Sequence, residues 1–113
     1  MKRIEAIIRS DKLNKVVEAL KKENVGGLSV YKTRGRGAGE RPLVRGSRGT
    51  TQYTADFNTC ETVMTVVDDS KVDSIVAAIT IAARTGEKGD GKIFVTNVEK
   101  TYDISLVKEG SMT

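Results

Sequence analysis

The stretch Thr85-Gly86-Glu87-Lys88-Gly89-Asp90-Gly91-Lys92-Ile93-Phe94-Val95 concentrates the residue types that could do chemistry in this chain. Glycines at 86, 89 and 91 let the backbone turn its N–H groups to one side, and Lys92 adds a point charge beside them. Clustered N–H donors with an ammonium make a place for phosphate oxygens. A glycine loop that only turns the chain is the simpler reading, and spacing alone leaves both open. A second feature is electrostatic. Residues 32 to 48 carry Lys32, Arg34, Arg36, Arg41, Arg45 and Arg48 against Glu40 alone, a net +5 in a chain whose total is +4. One basic segment therefore sits on a near-neutral body, which points to an anionic partner such as a nucleotide, a nucleic acid or an acidic protein surface. A solvated loop kept extended by its own charge is the alternative.

The composition excludes several classes. With no His and only Cys60, neither a structural zinc site nor a nucleophile paired with imidazole can be assembled. No metal site is predicted, although oxygen ligands together with a bound nucleotide could hold an ion. No activated nucleophile or general base is evident, so an enzyme is not expected. A single cysteine permits no internal disulfide and fits a reducing cytoplasm. The first residues run directly into an amphipathic pattern, and no apolar run approaches the roughly 18 residues of a membrane span, so neither a signal peptide nor membrane insertion is expected. Only five aromatic residues occur, with none paired on a central strand for base stacking. Nucleic acid is therefore not the expected partner, despite the alternation Arg34-Gly35-Arg36-Gly37.

The elements that must position these residues follow from hydrophobic period. At 113 residues the chain is one domain. Ile4, Ala6 and Ile8 alternate with charged residues, so residues 2–9 read as a strand. Ser10 or Asp11 can cap a helix carrying Leu13, Val16, Val17 and Leu20 on one face, and Gly26-Gly27 turns the chain after it. Residues 28–33 read as a second strand. The next twenty-odd residues hold five glycines, the sole proline (Pro42) and the arginines, and read as a long mobile loop. Residues 62–67 form a β-branched strand. Asp69 or Ser70 can cap a second helix with the stripe Val72, Ile75, Val76, Ile79 and Ala83. The glycine loop, a strand over residues 92–98, a short strand carrying Tyr102, Ile104 and Leu106, and a polar tail complete the chain. The predicted class is α+β, a ferredoxin-like βαββαβ sheet with one extra C-terminal strand. Both helices cover one sheet face. The other face carries enough small and apolar residues to be buried by copies of the chain.

Read as a whole, the chain resembles the PII signal-transduction (nitrogen regulatory) proteins over nearly its full length. The opening Met1-Lys2-Arg3-Ile4-Glu5-Ala6-Ile7-Ile8-Arg9 is similar to the family's first strand, and Gly35-x-Gly37 to the base of its long T-loop. Asp56-Phe57 matches the point where that loop rejoins the sheet, and Ala82-Ala83-Arg84-Thr85-Gly86 through Phe94 the B-loop signature. The resemblance places the T-loop at about residues 36–56, the B-loop at about 84–92 and a C-terminal segment at about 101–113. It implies a homotrimer with ATP or ADP held in clefts between subunits. It also implies a T-loop that docks on an ammonium transporter or a nitrogen-metabolism enzyme. By the same resemblance Gly89, Asp90, Gly91 and Lys92 cradle phosphates while Gly35, Arg36 and Gly37 close over the nucleotide. Ile7, Leu28, Ser29 and Val66 line the base and ribose, and Arg41, Arg45 and Arg48 meet the protein target.

Departures from the family pattern bear on the ligand. Two phosphate-reaching arginines of the last strand are replaced by Asp103 and Ser105. Each lost contact of that kind costs about 1.5–3 kcal/mol. A T-loop glutamine and a lysine that complete the 2-oxoglutarate site are replaced by Gly39 and Cys60, so tight 2-oxoglutarate binding is not expected. Val44-Arg45-Gly46-Ser47-Arg48 has no tyrosine at the place used for uridylylation. The alternative reading is a PII-like sensor of another small anion: ADP or AMP, a cyclic nucleotide, bicarbonate or citrate.

Overall fold

A computed structural model of the chain describes residues 1–37, 43–45, 52–106 and 108–109, with the backbone alone at 44–45, 52–53 and 108–109. Strand β1 (Lys2–Arg9) buries Ile4, Ala6 and Ile8 and turns the intervening residues to the opposite face, as a period of two requires. Helix α1 (Leu13–Lys22) buries Val16 and Leu20. Strand β2 (Ser29–Gly35) follows. A ribbon of β3 (Leu43–Arg45) and β4 (Gln52–Thr54) comes next, then the ten-residue β5 (Asn58–Val67). Helix α2 (Val72–Ala83) buries Ile75, Ile79 and Ala83, and β6 (Gly91–Asn97) closes the main sheet. The sheet order is β2-β5-β1-β6, antiparallel throughout. This is the ferredoxin-like arrangement. The core lies between the sheet and the two helices, built from Ile4, Ile8, Leu20, Val63, Ile75 and Ile79 with their neighbours.

Local details differ from the sequence expectations for identifiable reasons. Neither helix takes a side-chain N-cap, because a short 3-10 turn (Ser10–Lys12, Asp69–Lys71) precedes each one and its carbonyls meet the first N–H groups. The Ser10 hydroxyl instead donates to the Thr59 carbonyl at 3.1 Å, and the Asp69 carboxylate pairs with the Met1 ammonium at 2.8 Å. The left-handed residue ending α1 is Asn24 (φ 57°), not a glycine of the Gly26-Gly27 pair. Asn tolerates that region, and the Val25 amide then reaches back to the Leu20 carbonyl.

The segment read as an irregular loop contains paired backbone, with Leu43 opposite Thr54 and Arg45 opposite Gln52. The extra C-terminal strand shortens to β7 (Tyr102–Asp103), paired with β8 (Lys108–Glu109). Asp103 stops it: its carboxylate accepts from the Ser105 amide (3.0 Å) and hydroxyl (2.8 Å), turning the chain at residues 104–106. Ile104 is left 94% exposed rather than packed on a strand face.

Candidate functional site

The glycine loop begins where α2 ends. The Arg84 amide makes the last helical bond, to Thr80, and Arg84 itself is extended. Asp90 then organises the six residues that follow. One of its oxygens accepts the amides of Thr85 and Gly86, both at 2.9 Å. The other accepts the Thr85 hydroxyl and the Arg9 guanidinium, the latter at 3.0 Å. The Thr85 hydroxyl and amide, above all, hold the Asp90 carboxyl far below the usual carboxylate range. The amides of Thr85, Gly86 and Glu87 are thus spent inside the loop, the last on the Thr85 hydroxyl at 3.2 Å.

Backbone geometry explains Gly91. Its φ is +107°, and a Cβ there would stand 1.7 Å from the Ile7 carbonyl oxygen. Only glycine lets β6 begin against β1 at this point. The register that follows sets Lys92 opposite Ile7 and Phe94 opposite Glu5, on the sheet face away from the helices.

Ile7 and the two glycine segments predicted to act together, residues 35–37 and 89–92, line one cavity of about 440 Å³. The sheet order brings them there. Gly35 ends β2 opposite Asn58 of β5, and the next strand inward, β1, carries Ile7 between β5 and β6. Asn58, Cys60, Glu87 and Phe94 complete the lining. None of these four was assigned to the nucleotide from the sequence; strand alternation from Lys92 to Phe94 is the signal that could have found the aromatic. Cys60 lies close to the β2 end, its sulfur 3.5 Å from where a Gly35 Cβ would sit. Arg36 and Lys92 supply cations, Glu87 a carboxylate, and Ile7 and Phe94 apolar wall. Where the chain leaves β2 and returns to β5, the Arg34 guanidinium lies 5.2 Å from the centre of the Phe57 ring, a cation–π contact.

Leu28, Ser29 and Val66 do not reach this cavity within one chain. Val66 is opposite Arg3, four residues along β1 from Ile7, a span of about 13 Å at strand rise. Ser29 is opposite Met64, and Leu28 packs against the core. Arg41 and Arg48 lie outside the described residues, as does Gly39, and of Arg45 only the backbone in β3 is described. Asp103 is committed to the turn at Ser105, whose hydroxyl foremost keeps its carboxyl below the ordinary value.

Comparison with known proteins matches residues 1–108 to the family model described as nitrogen regulatory protein P-II. Curated relatives bearing that name include one from Nostoc punctiforme, 45% identical over 106 residues, covering 92% of this chain and 91% of the relative. One from Pyropia yezoensis is 42% identical with the same coverage, and one from Azospirillum brasilense is 41% identical over 112 residues, covering 97% and 96%.

Proposed function

The chain belongs to the nitrogen regulatory P-II family, regulators rather than enzymes, and from that premise we propose that it senses an adenine nucleotide and passes the signal to a protein target through its basic T-loop. The observation that carries this reading is the single cavity joining residues 35–37 to residues 89–92 and Ile7. A glycine loop bearing one cation, a second cation from the end of β2, and apolar walls suit a phosphate attached to a flat base. Leu28, Ser29 and Val66 are supplied by the neighbouring copy in a homotrimer, so that each site is completed between subunits. The target is a nitrogen-metabolism enzyme or an ammonium transporter, met in the cytoplasm by Arg41, Arg45 and Arg48.

A second reading has its own support. Cys60 stands in the cavity where a carboxylate-gripping lysine would serve 2-oxoglutarate, and Asp103 holds Ser105 rather than a phosphate. Both favour a ligand with fewer phosphates, ADP or AMP, or another small anion, with no 2-oxoglutarate response.

Calorimetric titration with ATP, ADP and AMP, each with and without magnesium and 2-oxoglutarate, tests both. Micromolar binding of an adenine nucleotide that 2-oxoglutarate leaves unchanged is the expected result. Absence of binding by all three nucleotides would overturn the first reading, and ATP binding strengthened by 2-oxoglutarate would overturn the second.

A further inference from the structure

The β1–β6 pairing ends with Ile8 opposite Gly91, one residue short of the last residue of β1, Arg9. The Arg9 side chain carries the connection further. Its Nε donates to Asp90 Oδ1 at 3.0 Å and its Nη2 donates to the Lys88 carbonyl at 2.8 Å. Both partners belong to a loop in which Gly86, Gly89 and Gly91 all have positive φ. Such a loop has the widest conformational freedom when released, so its shape depends on an anchor outside itself. Asp90 in turn holds the amides of Thr85 and Gly86. One guanidinium thus ties the end of β1 to the exit of the loop directly and to its entrance through Asp90. A planar fork reaches two acceptors on different residues at once; an ammonium has no such geometry. The ion pair also sets a positive charge against the Asp90 carboxylate, which would otherwise repel an anion at the cavity wall it shares with Lys92.

We infer that Arg9 is a positioning residue that fixes the shape of the glycine loop and, through Asp90, readies its backbone for an anion. The second half of this inference rests on the reading of the cavity as a nucleotide site. The test uses R9Q, R9K and D90N in the full chain, with amide hydrogen exchange of the nucleotide-free protein and calorimetry with ADP. In R9Q the Thr85 and Gly86 amides are expected to exchange faster, and ADP affinity to fall, each on the order of tenfold. D90N is expected to loosen the same two amides. R9K restores part of both effects. The thermal midpoint of R9Q moves little, because the ion pair is partly exposed and Asp90 keeps its amide and hydroxyl donors. Unchanged exchange at Thr85 and Gly86 in R9Q overturns the inference, and so does a loosened loop with undiminished ADP affinity. A wild-type protein that binds no adenine nucleotide, with exchange that still depends on Arg9, would remove the nucleotide reading and support Arg9 as the loop's anchor.

Discussion

Asp90 carries a full negative charge at the wall of a cavity read as an anion site, and its surroundings account for that. Two amides, a hydroxyl and a guanidinium all donate to it, so deprotonation is more favourable in the folded chain than in the unfolded one. The folded carboxyl therefore titrates below its ordinary value of 3.8. Asp69, through the N-terminal ammonium, and Asp103, through Ser105, are displaced in the same direction. The sign of the linkage follows. Their contribution to stability is present above the ordinary carboxylate range and is lost as pH falls from about 4 toward the folded values. Urea midpoints measured against pH are expected to fall steeply below about pH 4 in the wild type and less steeply in D90N. Equal slopes for the two proteins would mean that Asp90 is not preferentially ionised in the fold.

At the scale of elements, β1 is the member on which the others depend. It is central in the sheet, buries alternate residues under the helices, and offers its far end to the glycine loop. Gly91 lies directly against Ile7 of this strand. Gly91→Ala meets a left-handed φ and a backbone oxygen 1.7 Å from the new methyl. The φ strain alone costs about 1–3 kcal/mol. Relief of the clash requires β6 to shift off β1 and displaces Lys92 from Ile7. The expected outcome is a lowered urea midpoint together with lost nucleotide affinity; an alanine variant of wild-type stability would refute this account of the junction. The helices were legible from their apolar period, Leu13-Val16-Val17-Leu20 and Ile75-Ile79-Ala83, because burial of one stripe dominates helix stability. Their starts were not. Ser10 and Asp69 look like caps in sequence, but the preceding 3-10 turns and the partners Thr59 and Met1 claim them. The strand over Ile104 and Leu106 failed for a comparable reason, since the Asp103–Ser105 turn outweighs alternation so near the end of a segment.

For the whole molecule the decisive feature is the sheet face that no helix covers. Tyr31 and Phe94 are 44% and 48% exposed there, beside Glu5 and Met64. Copies of the chain are expected to bury this face, which would bring Ser29 and Val66, both on it, to a neighbouring chain's cavity. Light scattering is expected to return three times the 12.3 kDa of one chain, and Met64→Asp, which places a charge on that face, to lower the mass. A monomeric wild type would overturn the proposal of a site completed between subunits.

The amino-acid sequence by itself determined the order of the four main-sheet strands and two helices, the core stripes and the glycine loop, because hydrophobic period, β-branching and glycine act locally along the chain. The string from Ala82 to Phe94 and the resemblance over nearly the whole chain also pointed to the family, whose model matches residues 1–108. Only the tertiary structure decided which of the singled-out residues meet. Pairing of β1 with both β5 and β6 sets Ile7 against Lys92 and brings residues 35–37 alongside, while leaving Val66 four residues away along β1. Arg9 and Asp90, 81 positions apart, become partners through that same pairing. Contacts of such separation depend on sheet order and register, which no local propensity encodes.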